Sequence, residues 1–346
     1  MKEPFAPTEY KITVIGGGTG SFTLLSSLKD RTSQIAALVN MADDGGSTGM
    51  LRDELGVLPP GDVRQCLVAL SDSPRLRDLF NYRFGEGSLK GHAFGNLFLT
   101  ALEKMTGDFA EGVELASEVL GVRGAVEPIT LSNVTLVMKN GKDKEVRGEY
   151  KIASQNFHGG RPEFRLDPAA EPNPSALRAI ETADIVVIAP GNLYGSLAPA
   201  LIVPGVGEAL QRTKAYRVYV CNLVTKPGQT DGYNVSDFAG EVERLAGGQF
   251  LDAVLYNTEK PSDKLLEKYA KAGEKSVSYD MDRLKAAHYM AVGRNLLSGG
   301  VWKPSGPSDP LAADRTLIRH DSKAVANAII DLYDRTRNKK RRLFHR

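Results

Sequence analysis

Two glycine-rich turns, each directly after a short apolar run, constrain this chain more than any other feature. Gly16-Gly17-Gly18-Thr19-Gly20 follows Ile12-Thr13-Val14-Ile15, and Asp43-Asp44-Gly45-Gly46-Ser47-Thr48-Gly49 follows Ile35-Ala36-Ala37-Leu38-Val39 closely. Runs of this kind suit strands buried on both faces of a parallel sheet. Glycines at the strand-to-helix turn let the backbone close on a ligand, and the helix N-terminus adds partial positive charge. A single such turn also serves tight packing. Two in succession, the second with paired carboxylates, point to a nucleotide-phosphate site.

The alternation continues along the chain. Further strand-like runs lie at 185–189, 217–221 and 253–256, and helix-like stretches include 24–29, 63–70 and 96–103. The expected fold is α/β, a Rossmann-like three-layer sandwich with a mostly parallel sheet. Gly191, Asn192, Tyr194 and Ser196 follow the third run, Asn222 the fourth and Asn257 the fifth. Polar and glycine residues thus gather at the carboxyl ends of the strands, where open α/β sheets bind ligands in a shared crevice.

Residues 120–170 read differently. Val134, Leu136 and Met138 alternate with polar residues, Asn140-Gly141 is a type I′ turn signal, and Val146, Gly148 and Tyr150 continue the alternation. This predicts an antiparallel hairpin inside a β-rich insertion, bounded by the Pro-rich stretch from Pro162 to Pro174. Residues 299–309 read as a loop before a last helix through 324–333, capped by Asp321 or Ser322. The whole of 1–346 is expected to form a single domain with a basic, frayed tail at 335–346. Two domains divided near Pro172 are the alternative.

Composition excludes several classes. With 42% hydrophobic and 25% charged residues, the 346-residue chain can bury a sizeable core. A net charge of +2 gives no reason to expect nucleic acid as a partner. Cys66 and Cys221 have no metal-ligand spacing, which argues against a disulfide scaffold or structural zinc and fits a reducing compartment. The first ten residues lack a signal-peptide core and no apolar run reaches membrane-spanning length, so a cytoplasmic location without membrane insertion is expected. Homo-oligomerisation is left open.

The glycine turns match neither familiar nucleotide motif. Ser21 stands where the last glycine of a dinucleotide fingerprint belongs, and Asn40 where a ribose-binding acid is expected. The Gly-Lys-Ser/Thr ending of a P-loop is missing. Asp43 and Asp44 suit a divalent cation such as Mg2+ between phosphates, hydrogen bonds to a base or sugar, or a cap for the helix near Ser47. Arg52 either faces phosphate or pairs with Asp53 or Glu54 on the surface. Asp62 reads as an N-cap with Arg64 in the first turn, where a cation does not help the helix and a ligand phosphate would explain it. His92 and Asn96, among small residues at a helix start, read equally as ligand-facing or structural. No histidine cluster or Gly-x-Ser-x-Gly elbow occurs.

Taken in order, these segments resemble the YvcK/CofD-like family over nearly the whole chain. The matching stretches are Gly16 to Gly20, Asp43 to Ser47 with Leu51-Arg52, Pro59-Pro60-Gly61-Asp62-Val63-Arg64 and His92 to Asn96, then Pro190-Gly191 with Leu193-Tyr194 and Ser196, and Cys221-Asn222 with Pro227-Gly228. The resemblance implies one of two functions. One branch transfers a phospholactyl-type group from a guanosine diphosphate carrier to a deazaflavin, with magnesium. The other binds UDP-sugars such as UDP-N-acetylglucosamine or UDP-glucose and influences carbon metabolism, cell-wall synthesis and cell shape, with no obligatory cofactor. Val203-Pro204, Tyr219-Val220-Cys221-Asn222 and Arg319-His320-Asp321 look like the second branch. The resemblance also implies nucleotide-sugar contacts for Tyr269 and Arg319, the arginine clamping a diphosphate and the tyrosine stacking on uracil or hydrogen-bonding the sugar. Departures from the family pattern are Gly195 for a usual threonine, Asn192 for serine, Met50 for arginine, Gln65 for asparagine, and a longer segment at 299–313.

Overall fold

The computed structural model describes residues 10–141, 145–299 and 318–344. The expected loop after Gly299 and the residues following Asn140-Gly141 lie outside the described residues. Among those described, ten strands run in chain order. The first three are β1 (Ile12–Gly16), β2 (Ile35–Val39) and β3 (Ala125–Pro128). Next come β4 (Thr135–Lys139), β5 (Val146–Arg147) and β6 (Glu163–Asp167). The last four are β7 (Ile185–Ile188), β8 (Tyr216–Val220), β9 (Ala253–Asn257) and β10 (Met290–Arg294).

Seven of them form one sheet in the order β10-β9-β8-β7-β1-β2-β3, every neighbour parallel. The strand β1 lies inside the sheet, Ile12 opposite Ile35 on one side and Ile185 on the other. All five of its residues are buried, which accounts for an apolar run without polar alternation. The chain winds outward from β1 through β2 and β3, then restarts at β7 and winds the other way. That reversal places a topological switch point between β1 and β7, the crevice where doubly wound sheets bind ligands.

Helices cover the sheet and start earlier than periodicity suggests. Helix α1 spans Gly18–Leu28, beginning within the first glycine turn. Helix α2 spans Gly46–Leu55 and α3 spans Pro60–Leu70. Proline suits the first position of a helix, so Pro59 is the N-cap of α3 and Asp62 sits inside its first turn rather than capping it. The last helix, Ser322–Phe344, runs past the expected 324–333 and carries the backbone of most of the basic tail segment. Asp321 caps it, its Oδ1 accepting from Ala324 N at 2.9 Å. Tyr10 ties this helix to the start of β1 by donating to Asp334 Oδ1 at 2.7 Å. No single described helix is long and apolar enough to cross a membrane.

The expected hairpin is present, with Met138 opposite Val146, but it belongs to a three-stranded antiparallel sheet in the order β5-β4-β6. After Arg147 the chain turns into a short helix, Glu149–Ala153, so Tyr150 is helical rather than extended. The strand β3 lies inside the expected insertion range yet forms an edge of the main sheet, against β2. One continuous cluster of buried apolar side chains runs from Tyr10 to Leu332 and takes in Val134, Leu136 and Met138 beside the small sheet.

Candidate functional site

A cavity of about 440 Å³ opens over the switch point. Gly17, Gly18, Thr19 and Gly20 form one wall, and Pro190, Gly191, Asn192 and Ser196 the adjoining one. Gly17, the N-cap of α1, has no side chain to cap it; Asp62 takes the Gly18 amide, and Thr19 and Gly20, next in the first turn, line the cavity. Gly18 has φ +62°, a left-handed conformation that side-chain-bearing residues rarely adopt. At Gly20 a Cβ would collide with the carbonyl oxygen of Pro190. Glycine there lets the helix start close against the β7 loop.

The opposite wall is the segment after β8, and the rim is Ile318, Arg319 and His320. Asn222 lines the cavity while its Nδ2 donates to Gly191 O at 2.6 Å and its Oδ1 accepts from Tyr219 Oη at 3.1 Å. Asn192 is likewise engaged: its Oδ1 accepts from Tyr194 N and Gly195 N at the start of a π-helical turn, Leu193–Leu197. Both amides therefore shape the wall. His320 lies against the carbonyl oxygen of Cys221 at 3.2 Å through Nε2, and burial pushes its pKa down to about 4. A neutral ring that donates from Nε2 holds the rim to the β8 loop. Burial also pushes the Cys221 thiol up to about 12, which makes it a poor nucleophile.

Behind the glycine wall lies a carboxylate compartment. Burial first, then the negative charges of Asp43 and Glu149, push Asp62 up to about 8, against a hydrogen bond from Gly18 N and the nearby Arg64. Burial, with Asp43 and Asp44, pushes Glu149 up to about 7. Asp43 is raised as well, again chiefly by burial. A Cβ on Gly17 would strike Asp62 Oδ2, and one on Gly195 would strike Glu149 Oε1. The departure to glycine at 195 thus makes room for a carboxylate from the insertion. Mutual repulsion in this compartment is what a divalent cation would relieve, although no group of three or more metal-ligating residues occurs among the described ones. Asp43 is the charge that repels Asp62 most strongly.

Several expected ligand contacts instead hold the scaffold. Asp43 Oδ1 accepts from Gly45 N at 3.0 Å, and the N-cap of α2 is Gly45, without a side-chain cap. Asp44 Oδ1 accepts from Tyr150 N at 2.7 Å, tying the insertion helix to the second glycine turn. Arg52 donates to the carbonyl oxygens of Asp43 and Val134 at 2.9 Å each and to Asn133 Oδ1 at 2.7 Å, rather than facing the cavity. Arg64, buried, donates to Asn96 Oδ1 at 2.9 Å and Asn81 Oδ1 at 2.6 Å. Asn96 donates to Ser47 Oγ at 3.2 Å, and Ser47 Oγ meets His92 Nδ1 at 3.0 Å. This chain of buried polar groups locks α2, α3 and the helix Phe94–Thr106 together.

Tyr194 and Tyr269 also stay out of the cavity lining. Tyr194 is core, its ring stacked on Phe164 at 5.2 Å and its hydroxyl donating to Glu241 at 3.0 Å. The Tyr269 hydroxyl accepts from Ile318 N at 3.0 Å, which positions the rim rather than a base. Asn257 lines a second cavity of about 440 Å³ near the ends of β8 and β9, which shares Asn222, Leu223 and Glu274 with the first. Its own amide is engaged with Glu259 and Leu296.

Glu149, Lys226 and Gln229 were not singled out from the sequence. Lys226 and Gln229 line the main cavity. Their signal was Pro227-Gly228 just beyond β8, the same turn-after-strand rule that marked the other loops. Glu149 had no such signal, because it reaches the site from the insertion.

Residues 12–297 match the family model described as 2-phospho-L-lactate transferase CofD. A Thermotoga maritima relative is 42% identical over 322 residues, covering 92% of this chain and 98% of that protein. The Bacillus subtilis protein named Gluconeogenesis factor is 38% identical over 324 residues, covering 93% and 98% respectively. A crystal structure of a Bacillus halodurans member of the UPF0052 family superposes with a TM-score of 0.84 at 38% identity, covering 94% of this chain and all of that one. The ordered loops, the doubly wound sheet and these likenesses agree: the chain belongs to the CofD family, in the company of the gluconeogenesis factors.

Proposed function

We propose that the protein is a cytoplasmic nucleotide-sugar-binding regulator of the YvcK type, acting in carbon metabolism with effects on cell-wall synthesis and cell shape. The observation that carries this reading is the switch-point cavity, with the glycine-rich start of α1 on one wall and Lys226 and Arg319 on the others. Amide dipoles and two cations suit a diphosphate. A neutral His320 and an unreactive Cys221 beside it supply no activated nucleophile. The names of the Bacillus subtilis and Halalkalibacterium halodurans relatives support the metabolic role. Calorimetry with UDP-N-acetylglucosamine, UDP-glucose, GDP and NAD tests it. UDP-sugars should bind at least about tenfold more tightly than GDP or NAD, a margin of roughly 1.4 kcal/mol. Preference for GDP or NAD would overturn the reading.

The carboxylate compartment and the CofD description favour one second reading, a transferase that moves a phospholactyl-type group onto a deazaflavin. Asp43 and Asp62 would then hold magnesium, which neutralises charge on the departing diphosphate. Incubation with such a donor, a deazaflavin and magnesium separates the two: the regulator yields no product, whereas product lost in Asp43→Asn establishes the transferase.

A further inference from the structure

The turn at 225–230, on the far wall of the main cavity, carries polar groups that the fold leaves unused. Gln229 lines the cavity yet is only 5% exposed. Its Nε2 donates to Ile152 O at 2.8 Å and to Gln155 O at 3.4 Å. Two carbonyl acceptors fix which end of the amide is nitrogen. Oε1 is the atom left over, and it has no hydrogen-bond partner among the described residues. A buried acceptor without a donor is costly, so its retention in a cavity wall calls for a ligand. Lys226, three residues earlier, lines the same cavity. Its ammonium makes no hydrogen bond or ion pair with a described residue, and Glu149 and Glu274 act on it only through longer-range fields.

An acceptor beside a cation fits a ligand that offers an O–H donor next to a negative charge. A nucleoside diphosphate sugar has both, in its sugar-bearing phosphate and its ring hydroxyls. Building on the nucleotide-sugar reading above, we infer that Lys226 and Gln229 recognise the sugar end of the ligand. Lys226 holds the sugar-bearing phosphate, and Gln229 Oε1 accepts from one ring hydroxyl. The same amide grips the carbonyl oxygens of Ile152 and Gln155, at the end of the short helix that begins with Glu149. The sugar therefore sits toward the insertion and the nucleoside away from it.

The test compares UDP-glucose with its 2-, 3-, 4- and 6-deoxyfluoro analogues by calorimetry, because fluorine cannot donate. One analogue should bind the native protein about tenfold more weakly than UDP-glucose, as expected for a lost buried hydrogen bond. That penalty should fall below about twofold in Gln229→Met, while UDP binds both proteins alike. Gln229→Arg keeps donors for Ile152 and Gln155 but has no acceptor, and repeats the comparison with the tie intact. Lys226→Met should weaken UDP and UDP-glucose together by about tenfold and leave uridine unaffected. An identical fluorine penalty with and without Gln229, or unaltered UDP affinity in Lys226→Met, would sink this inference alone. A native protein that binds no UDP-sugar removes the underlying reading with it.

Discussion

An aspartate in water is ionised from about pH 4 upward, and Asp62 resists this until about pH 8. Burial opposes its charge first, and Asp43 and Glu149 then add repulsion. Between those two pH values the unfolded chain has released the proton and the folded chain has not. The native state binds more protons, so stability is fully present below about pH 4 and is lost as pH rises toward 8. One such proton gives a slope of at most about 1.4 kcal/mol per pH unit. Glu149, pushed up to about 7, adds to the same trend. Asp62→Asn should therefore melt higher than the native protein near pH 8, with the two curves converging toward pH 4. Melting temperatures taken across that range check it, and parallel curves would show that Asp62 ionises freely in the fold. The protonated carboxyl matters for binding too. Ionised, it would set a negative charge directly behind Gly17 and Gly18, which line the cavity proposed for the diphosphate.

Among the elements, the joint between α1 and the β7 loop is the tightest part of the site. Gly20→Ala forces a methyl group against the Pro190 carbonyl, and either the helix start or the loop must move. Overpacking of this kind costs about 1–3 kcal/mol, and the displaced amide groups should abolish nucleotide-sugar binding. Gly240 lies within the helix Val235–Leu245, and a Cβ there meets nothing. Gly240→Ala should raise stability by roughly 0.5–1 kcal/mol and leave binding unchanged. Denaturation and calorimetry on the pair distinguish a glycine needed for contact from one that only lowers helix propensity. The same contrast explains what sequence could reveal. The strands β1, β2, β7 and β9 were legible because burial on both faces leaves nearly continuous apolar runs, and β8 because its last three residues are buried in the same way. At the edges β3 and β10 alternate with polar residues or carry a glycine, and β6 follows the charged pattern of a half-exposed face, so none of them stood out. The glycine loops were legible because they follow strands directly. The roles of Arg52 and Arg64 were not, because an arginine bonded to backbone carbonyls or asparagine side chains and one awaiting phosphate look alike in sequence.

At the scale of the whole molecule, the crevice is closed by a segment that comes from the far end of the chain. Ile318, Arg319 and His320 cross the carboxyl ends of the sheet just before the last helix. His320 rests on the Cys221 carbonyl, Ile318 N donates to the Tyr269 hydroxyl, and Ser298 N donates to Arg319 O at 2.9 Å. Tyr269 thereby connects the helix Asp263–Lys271 to the rim. If it contributes by placing Arg319, its effect on binding depends on that arginine being present. Arg319→Ala should cost on the order of 2–5 kcal/mol in UDP-sugar affinity, as for a desolvated charge contact. Tyr269→Phe keeps the ring and removes the hydroxyl that accepts from Ile318 N, so a loss of about 1 kcal/mol is expected. In the Arg319→Ala background the Phe substitution should then add almost nothing, a coupling that calorimetry on the four proteins of the cycle measures directly. Equal losses in both backgrounds would make Tyr269 an independent ligand contact. No loss in Tyr269→Phe, where an aromatic face still remains, would favour stacking on the base over support of the rim.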